Sequence, residues 1–168
     1  SYNVLMVDYR GFGKSTGRRS QKAIKRDLQL VYNKLKEMTT EDRIILYGRS
    51  LGSGFATKLA STNHPRMLIL DAPYYSLTKV TARYMPFMPL SLILKYPMPT
   101  YKWLKYVNCP VHIIHGTHDK IVPFSHAKKL FERAPDPKFF TWMDNGQHND
   151  IMEHYTVIQR SILIQCSI

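Results

Sequence analysis

Three polar residues, far apart in a chain of 168 residues, could do chemistry together: Ser50 in Gly48-Arg49-Ser50-Leu51-Gly52, Asp119 in His115-Gly116-Thr117-His118-Asp119, and His148 in Gly146-Gln147-His148-Asn149-Asp150. A serine hydroxyl is a weak nucleophile until an imidazole takes its proton, and that imidazole needs an acceptor on its other nitrogen to fix its tautomer. Gly-x-Ser-x-Gly alone recurs by chance. A serine, an acid and a histidine in that chain order, each just past an apolar run, is far more specific. The chemistry it fits is acyl transfer to water. Ser50 attacks a carbonyl carbon, His148 serves as base and then as acid, and Asp119 orients the ring. The backbone N–H of Leu51, at the start of a helix, is aimed where the oxyanion would develop.

The elements that must position these residues are legible in the hydrophobic pattern. Apolar runs at 3–8, 44–47, 67–70, 111–114 and 139–143 predict strands of one sheet. The spacing of Ile24, Leu28, Val31, Leu35 and Met38 predicts a helix capped by Ser20. Further helices are expected at Gly54 to Ala60, at Ser125 to Arg133 with Ser125 as cap, and at Ile151 to Ile164. Alternating strands and helices give an α/β class with a mostly parallel sheet flanked by helices. Glycine on both sides of Ser50 suits a tight, strained turn in which strand and helix approach closely.

Other features are weaker. Gly13-Lys14-Ser15 invites a phosphate-loop reading, but the pattern needs a glycine where this chain has Asp8. A glycine-rich turn after a strand is the better expectation there. Asp71, which also follows a strand, is the rival acid for His148. His115, His118, His126 and His154 read as turn, cap or surface residues. Between Ala72 and Lys105, tyrosines, other aromatics and methionines are interleaved with Pro73, Pro86, Pro89, Pro97 and Pro99. Prolines at that spacing exclude one long helix. Residues 72–105 are expected to form either a lid over the catalytic end of the sheet or a core-packing insertion.

Length suits a single domain, 1–168. The net charge of +12 is unevenly placed, with no acid between Asp71 and Asp119. Such a balance reads first as a solvated basic face and second as attraction to an anionic membrane surface. No zinc-finger spacing, RNA-recognition signature or basic-aromatic repeat supports nucleic acid. Cys109 and Cys166 have no metal-ligand spacing, so neither a metal site nor a disulfide framework is expected. The chemistry requires no cofactor. No apolar run is long enough to span a bilayer. The chain opens directly on an apolar run at Ser1, which reads as an N-terminally truncated start. The location stays open on this account, with a cytoplasmic or membrane-associated one as the expectation.

Asp8-Tyr9-Arg10-Gly11-Phe12-Gly13-Lys14-Ser15, together with the three segments around Ser50, Asp119 and His148, resembles the α/β-hydrolase superfamily over nearly the whole chain. It is similar to the serine-aminopeptidase-like and lysophospholipase-like group. Through His115-Gly-Thr-x-Asp, Phe124-Ser125-His126 and His148-Asn149-Asp150 it resembles the branch with protein depalmitoylases. The resemblance implies a serine hydrolase acting on an ester or thioester with a hydrophobic, lipid-like or small-molecule acyl group. An aminopeptidase-like peptidase, or a non-catalytic binding domain, is the alternative. It also implies that the family's first three strands lie outside this chain, with the loop that supplies the second oxyanion N–H. The strand at 3–8 would then stand apart or pair with 44–47.

Overall fold

The computed structural model describes residues 3–84 and 97–150. The chain divides into two compact units, Ser1–Thr39 and Thr40–Ile168.

In the first unit, residues 3–8 form no strand, contrary to the expectation from their apolar run. Val4 and Met6 are 79% and 87% exposed. A strand exists only where a neighbour completes its hydrogen bonds, and local hydrophobicity does not encode that neighbour. The turn beyond them is built as expected. Gly11 N–H donates to the Ser15 carbonyl at 3.1 Å, and Asp8 accepts from Lys14 N–H at 3.1 Å and from the Ser15 hydroxyl at 2.8 Å. Gly11 and Gly13 take positive φ there, which a side chain resists. Helix α1 (Gln21–Met38) follows. Ser20 precedes it without making a side-chain cap, Ile24 and Tyr32 are its buried residues, and Met38 is exposed.

The second unit carries a parallel sheet of β1 (Ile45–Arg49), β2 (Met67–Asp71), β3 (Val111–Gly116) and β4 (Lys138–Met143), in spatial order β1-β2-β3-β4. Helix α2 (Leu51–Ala60) links β1 to β2, α3 (Leu77–Tyr84) and α4 (Thr100–Leu104) lie between β2 and β3, and α5 (Phe124–Arg133) links β3 to β4. Strands β2 and β3 are buried at every position, so their sequences are mostly apolar and their polar residues, Asp71, His112 and His115, are buried with them, whereas the outer strands β1 and β4 expose Tyr47 and Trp142. Alternate side chains sort onto opposite faces. Leu68, Leu70, Val111 and Ile113 pack with Ala56, Ala60, Leu104, Ala127 and Leu130, while Met67, Ile69, Ile114 and Met143 form a second cluster with Ile45.

One helix expectation needs adjustment. Helix α5 has Pro123 rather than Ser125 at its N-cap, so Ser125 falls inside the first turn. The described flanks of segment 72–105 pack inward: Tyr74, Tyr75, Met98 and Leu104 are buried, and Tyr75 stacks on Tyr101 with centroids 4.4 Å apart. Residues 85–96, the helix expected at 151–164, His154 and Cys166 lie outside the described residues.

Burying β3 on both faces also buries His112, whose Nε2 pairs with the Thr141 hydroxyl at 2.8 Å. Desolvation pushes this imidazole down to about 4 from 6.5, and burial does the same to His126. The unfolded chain therefore binds protons that the folded chain does not between those pH values, so stability falls as pH drops through that window. Asp71 opposes this, because burial raises its carboxyl and the folded state takes up that proton first. The two histidines are expected to outweigh it. Chemical denaturation should show lower stability at pH 4.5 than at 7.5. His112→Gln should shrink that difference by roughly 2 kcal/mol; an unchanged difference would exclude His112 as a source.

Candidate active site

A parallel sheet sends the C-terminal ends of all its strands to one edge. Here that edge receives Ser50 after β1, Asp71 closing β2, Asp119 after β3 and His148 after β4. Ser50 sits between β1 and α2 with φ 46° and ψ −117°, a left-handed conformation that L-residues avoid. Tertiary contacts hold it there. Ser50 N–H donates to the Asp71 carbonyl at 2.9 Å, and the Ser50 carbonyl accepts from Ser53 N–H at 2.9 Å and from the Ser53 hydroxyl at 2.6 Å. Strand and helix close tightly behind it. A Cβ at Gly48 would stand 2.6 Å from Ala56 Cβ, so no side chain fits. Leu51 is the first residue of α2, and an N–H at that position has no carbonyl of its own helix to meet.

The histidine loop is fastened to the end of β3. Asn145 N–H donates to the Thr117 hydroxyl and His118 N–H to the Gly146 carbonyl, both at 2.9 Å. A methyl group on Gly116 would overlap the Gly146 backbone, so the two segments meet this closely only because residue 116 is glycine. Gln147 N–H donates to Asp150 at 3.2 Å. This clamp sets the His148 ring between two partners. Nδ1 lies 2.7 Å from Asp119 Oδ2, and Nε2 lies 3.1 Å from Ser50 Oγ. A carboxylate only accepts, so Nδ1 carries the proton and Nε2 is free to accept from the serine hydroxyl.

Asp119 is 6% exposed. Its Oδ1 accepts from the N–H groups of Ile121 at 2.9 Å and Val122 at 2.8 Å. Burial alone would raise the carboxyl, but the hydrogen bonds from His115, His148 and Val122 outweigh it and hold it well below the usual carboxylate range. His115 is therefore neither a turn nor a surface residue. It is fully buried, with Nε2 2.8 Å from the Val122 carbonyl and 3.3 Å from Asp119 Oδ2. Facing two acceptors, Nε2 must be the protonated nitrogen. The sequence signal for such a partner is the pair of polar residues, His112 and His115, inside an apolar strand run. His126 is half-buried, and its Nδ1 accepts from Tyr75 N–H at 3.2 Å.

Asp71 does not reach His148 by a hydrogen bond among the described residues. It is 1% exposed, its Oδ2 accepts from the Tyr47 hydroxyl, and Arg49 Nε stands 3.6 Å away. Burial raises its carboxyl, against the lowering effects of Tyr47, Arg49, His115 and His148. The second carboxylate of this edge is thus pushed the opposite way from Asp119. Among the described residues, no group of three or more His, Cys, Asp or Glu side chains is arranged to hold a metal ion. Cys109 is buried, which pushes its thiol up to about 11.

A family model described as "Serine aminopeptidase, S33" matches residues 1–106. The chain is 32% identical over 170 residues to the alpha/beta hydrolase domain-containing protein aho-3 of Caenorhabditis elegans, covering 94% of this chain and 47% of that protein. It is 30% identical over 160 residues to the alpha/beta hydrolase domain-containing protein 17C of Homo sapiens, covering 94% and 47%. The chain thus spans about half the length of these curated relatives. Among solved structures it is similar to the Pyrococcus furiosus esterase PF2001, with TM-score 0.73, 21% identity and coverage of 95% of this chain and 66% of that one. It is also similar to the Paleococcus ferrophilus monoacylglycerol lipase, with TM-score 0.70, 19% identity and coverage of 95% and 80%. At these identities the solved structures establish the fold, an α/β-hydrolase fold.

The strain at Ser50 has a measurable consequence. Glycine tolerates φ 46° without the Cβ conflict, whereas alanine keeps it. Ser50→Gly should be more stable than Ser50→Ala by about 1 kcal/mol in chemical denaturation. Equal stability of the two variants would contradict a strained backbone.

Proposed function

The chain belongs to the serine aminopeptidase (S33) family, and from that premise we propose that it is a serine hydrolase that cleaves an ester or thioester with a hydrophobic acyl group. The observation that carries this reading is the hydrogen-bonded row Ser50 Oγ, His148 Nε2, His148 Nδ1 and Asp119 Oδ2, with separations of 3.1 and 2.7 Å. In it, the Ser50 hydroxyl gives its proton to His148 as Oγ bonds to the carbonyl carbon. The oxyanion of the tetrahedral intermediate accepts from the Leu51 N–H. Collapse expels the leaving group, which takes the proton from His148 and leaves Ser50 acylated. Water then attacks the acyl-enzyme with His148 again as base, releasing the acid and restoring the serine. Asp119 stays ionised throughout, which its four hydrogen-bonding neighbours favour.

The acyl preference is supported by the composition around the serine. No carboxylate occurs between Asp71 and Asp119, a stretch rich in aromatic residues and methionine. Leu51 and Ile121, which follow the serine and the acid in sequence, are exposed hydrophobics. An apolar wall gains about 0.8 kcal/mol, roughly fourfold, for each methylene it covers. The family's peptidase description favours a second reading, cleavage of amides at a free N-terminus. That substrate carries an ammonium group, for which the acid-free stretch offers no partner.

A series of p-nitrophenyl esters and alkyl thioesters of rising acyl length, with aminoacyl amides beside them, separates the two. Specificity, kcat/KM, should climb over the first several carbons and remain low for the amides. A flat or falling series with preferred amide cleavage would replace the esterase reading with the peptidase one. No turnover of any member would leave a binding domain on a hydrolase fold.

A further inference from the structure

Arg49 occupies the variable position between Gly48 and the serine, and its side chain does something the motif does not require. It is the last residue of β1 and stands in register with Asp71. Its Nη2 donates to the main-chain carbonyl of His148 at 2.8 Å and approaches Asn149 Oδ1 at 3.4 Å. Its Nε faces Asp71 Oδ2 at 3.6 Å, and Tyr47 donates to that same carboxylate oxygen. One planar guanidinium thus hydrogen-bonds a carbonyl beyond β4 and lies beside a carboxylate at the end of β2.

The other fastenings of the loop, through Thr117, His118 and Gly116, tie it to β3, on the side of Asp119. Arg49 ties it to β1, the strand that delivers Ser50. The distance between the imidazole and the serine depends on both strands, so a loop held from β3 alone would be free to rock away from Ser50. An Arg fork fixes both direction and distance, which a Lys ammonium does not. Lost hydrogen-bond reach between base and nucleophile affects the chemical step far more than substrate affinity.

We propose that Arg49 is a positioning residue for His148: anchored beside Asp71, it grips the His148 carbonyl and sets the imidazole at hydrogen-bond distance from Ser50. The proposal rests on the reading of Ser50 and His148 as nucleophile and base. Tyr47 completes the device by donating to the Asp71 carboxylate beside which the guanidinium lies.

The test is steady-state hydrolysis of an activated p-nitrophenyl ester by the full chain and by Arg49→Met, Arg49→Lys and Asp71→Asn, each also made in a His148→Ala background. Arg49→Met should lower kcat about 10- to 100-fold with KM little changed, and Arg49→Lys should fall between it and the parent. Asp71→Asn should lower kcat in the same direction and add nothing to Arg49→Met. In the His148→Ala background, Arg49→Met should leave the residual rate unchanged, because the group it positions is gone. An equal loss in both backgrounds, or a change in KM alone, would overturn the proposal. If Arg49→Met does not fold, Arg49→Lys carries the test, and a parental kcat in that variant would likewise overturn it. Full activity in Ser50→Ala and His148→Ala would instead sink the underlying reading, an outcome that the Arg49 variants cannot mimic.

Discussion

The imidazole of His148 must satisfy two neighbours at once, a carboxylate on one nitrogen and a hydroxyl on the other, and a planar ring allows little slack between them. Each partner comes from a different strand end, and the ring comes from a third. A sheet whose strands run the same way brings all three ends to one edge. Parallel pairing requires a crossover between successive strands, and the described helices α2 and α5 supply two of these. The buried, mostly apolar runs of β2 and β3 place these two strands inside the sheet, because both of their faces are covered. The position of one imidazole therefore depends on the hydrophobic pattern of residues that never touch it.

Two carboxylates at the same edge show how environment assigns roles. Asp119 receives two backbone N–H groups and faces two imidazoles, so its charge is compensated inside the protein. Asp71 is as deeply buried but is met by a hydroxyl and, at longer range, a guanidinium. Burial lifts Asp71 and hydrogen bonding lowers Asp119. An acceptor that is to stay ionised beside an imidazole belongs in the environment of Asp119, not in that of Asp71. His115 enters here as the neighbour that secures Asp119 rather than as a reacting group.

Much of this was legible in the sequence, for a physical reason. The apolar runs of β2 and β3, the step of four and three in α1, and the chain order of serine, acid and histidine are local or ordinal signals that survive without coordinates. The run at 3–8 carried the same apolar signal as β2, yet it forms no strand, because pairing is supplied by a neighbour and not by the residues themselves. Ser125 looked like a helix cap, but Pro123, with its preset φ, opens the helix two residues earlier. His115, Arg49 and Asp71 were out of reach for another reason. Tyr47 and Arg49 meet Asp71 through the register of β1 on β2, and Asp119 and the His148 carbonyl are brought in by the loops after β3 and β4, neither of which a single sequence displays.

The central claim is that Ser50 becomes covalently acylated with His148 as its base, and rapid-quench mass spectrometry tests it most directly. The full chain is mixed with an activated ester and quenched within the first turnover, and its peptides are mapped. The account requires an acyl group on the peptide containing Ser50, formed in a burst of leaving group of about one equivalent or less, and strongly slowed in His148→Ala. An acyl group on any other residue, or hydrolysis that persists undiminished in Ser50→Ala, would contradict it.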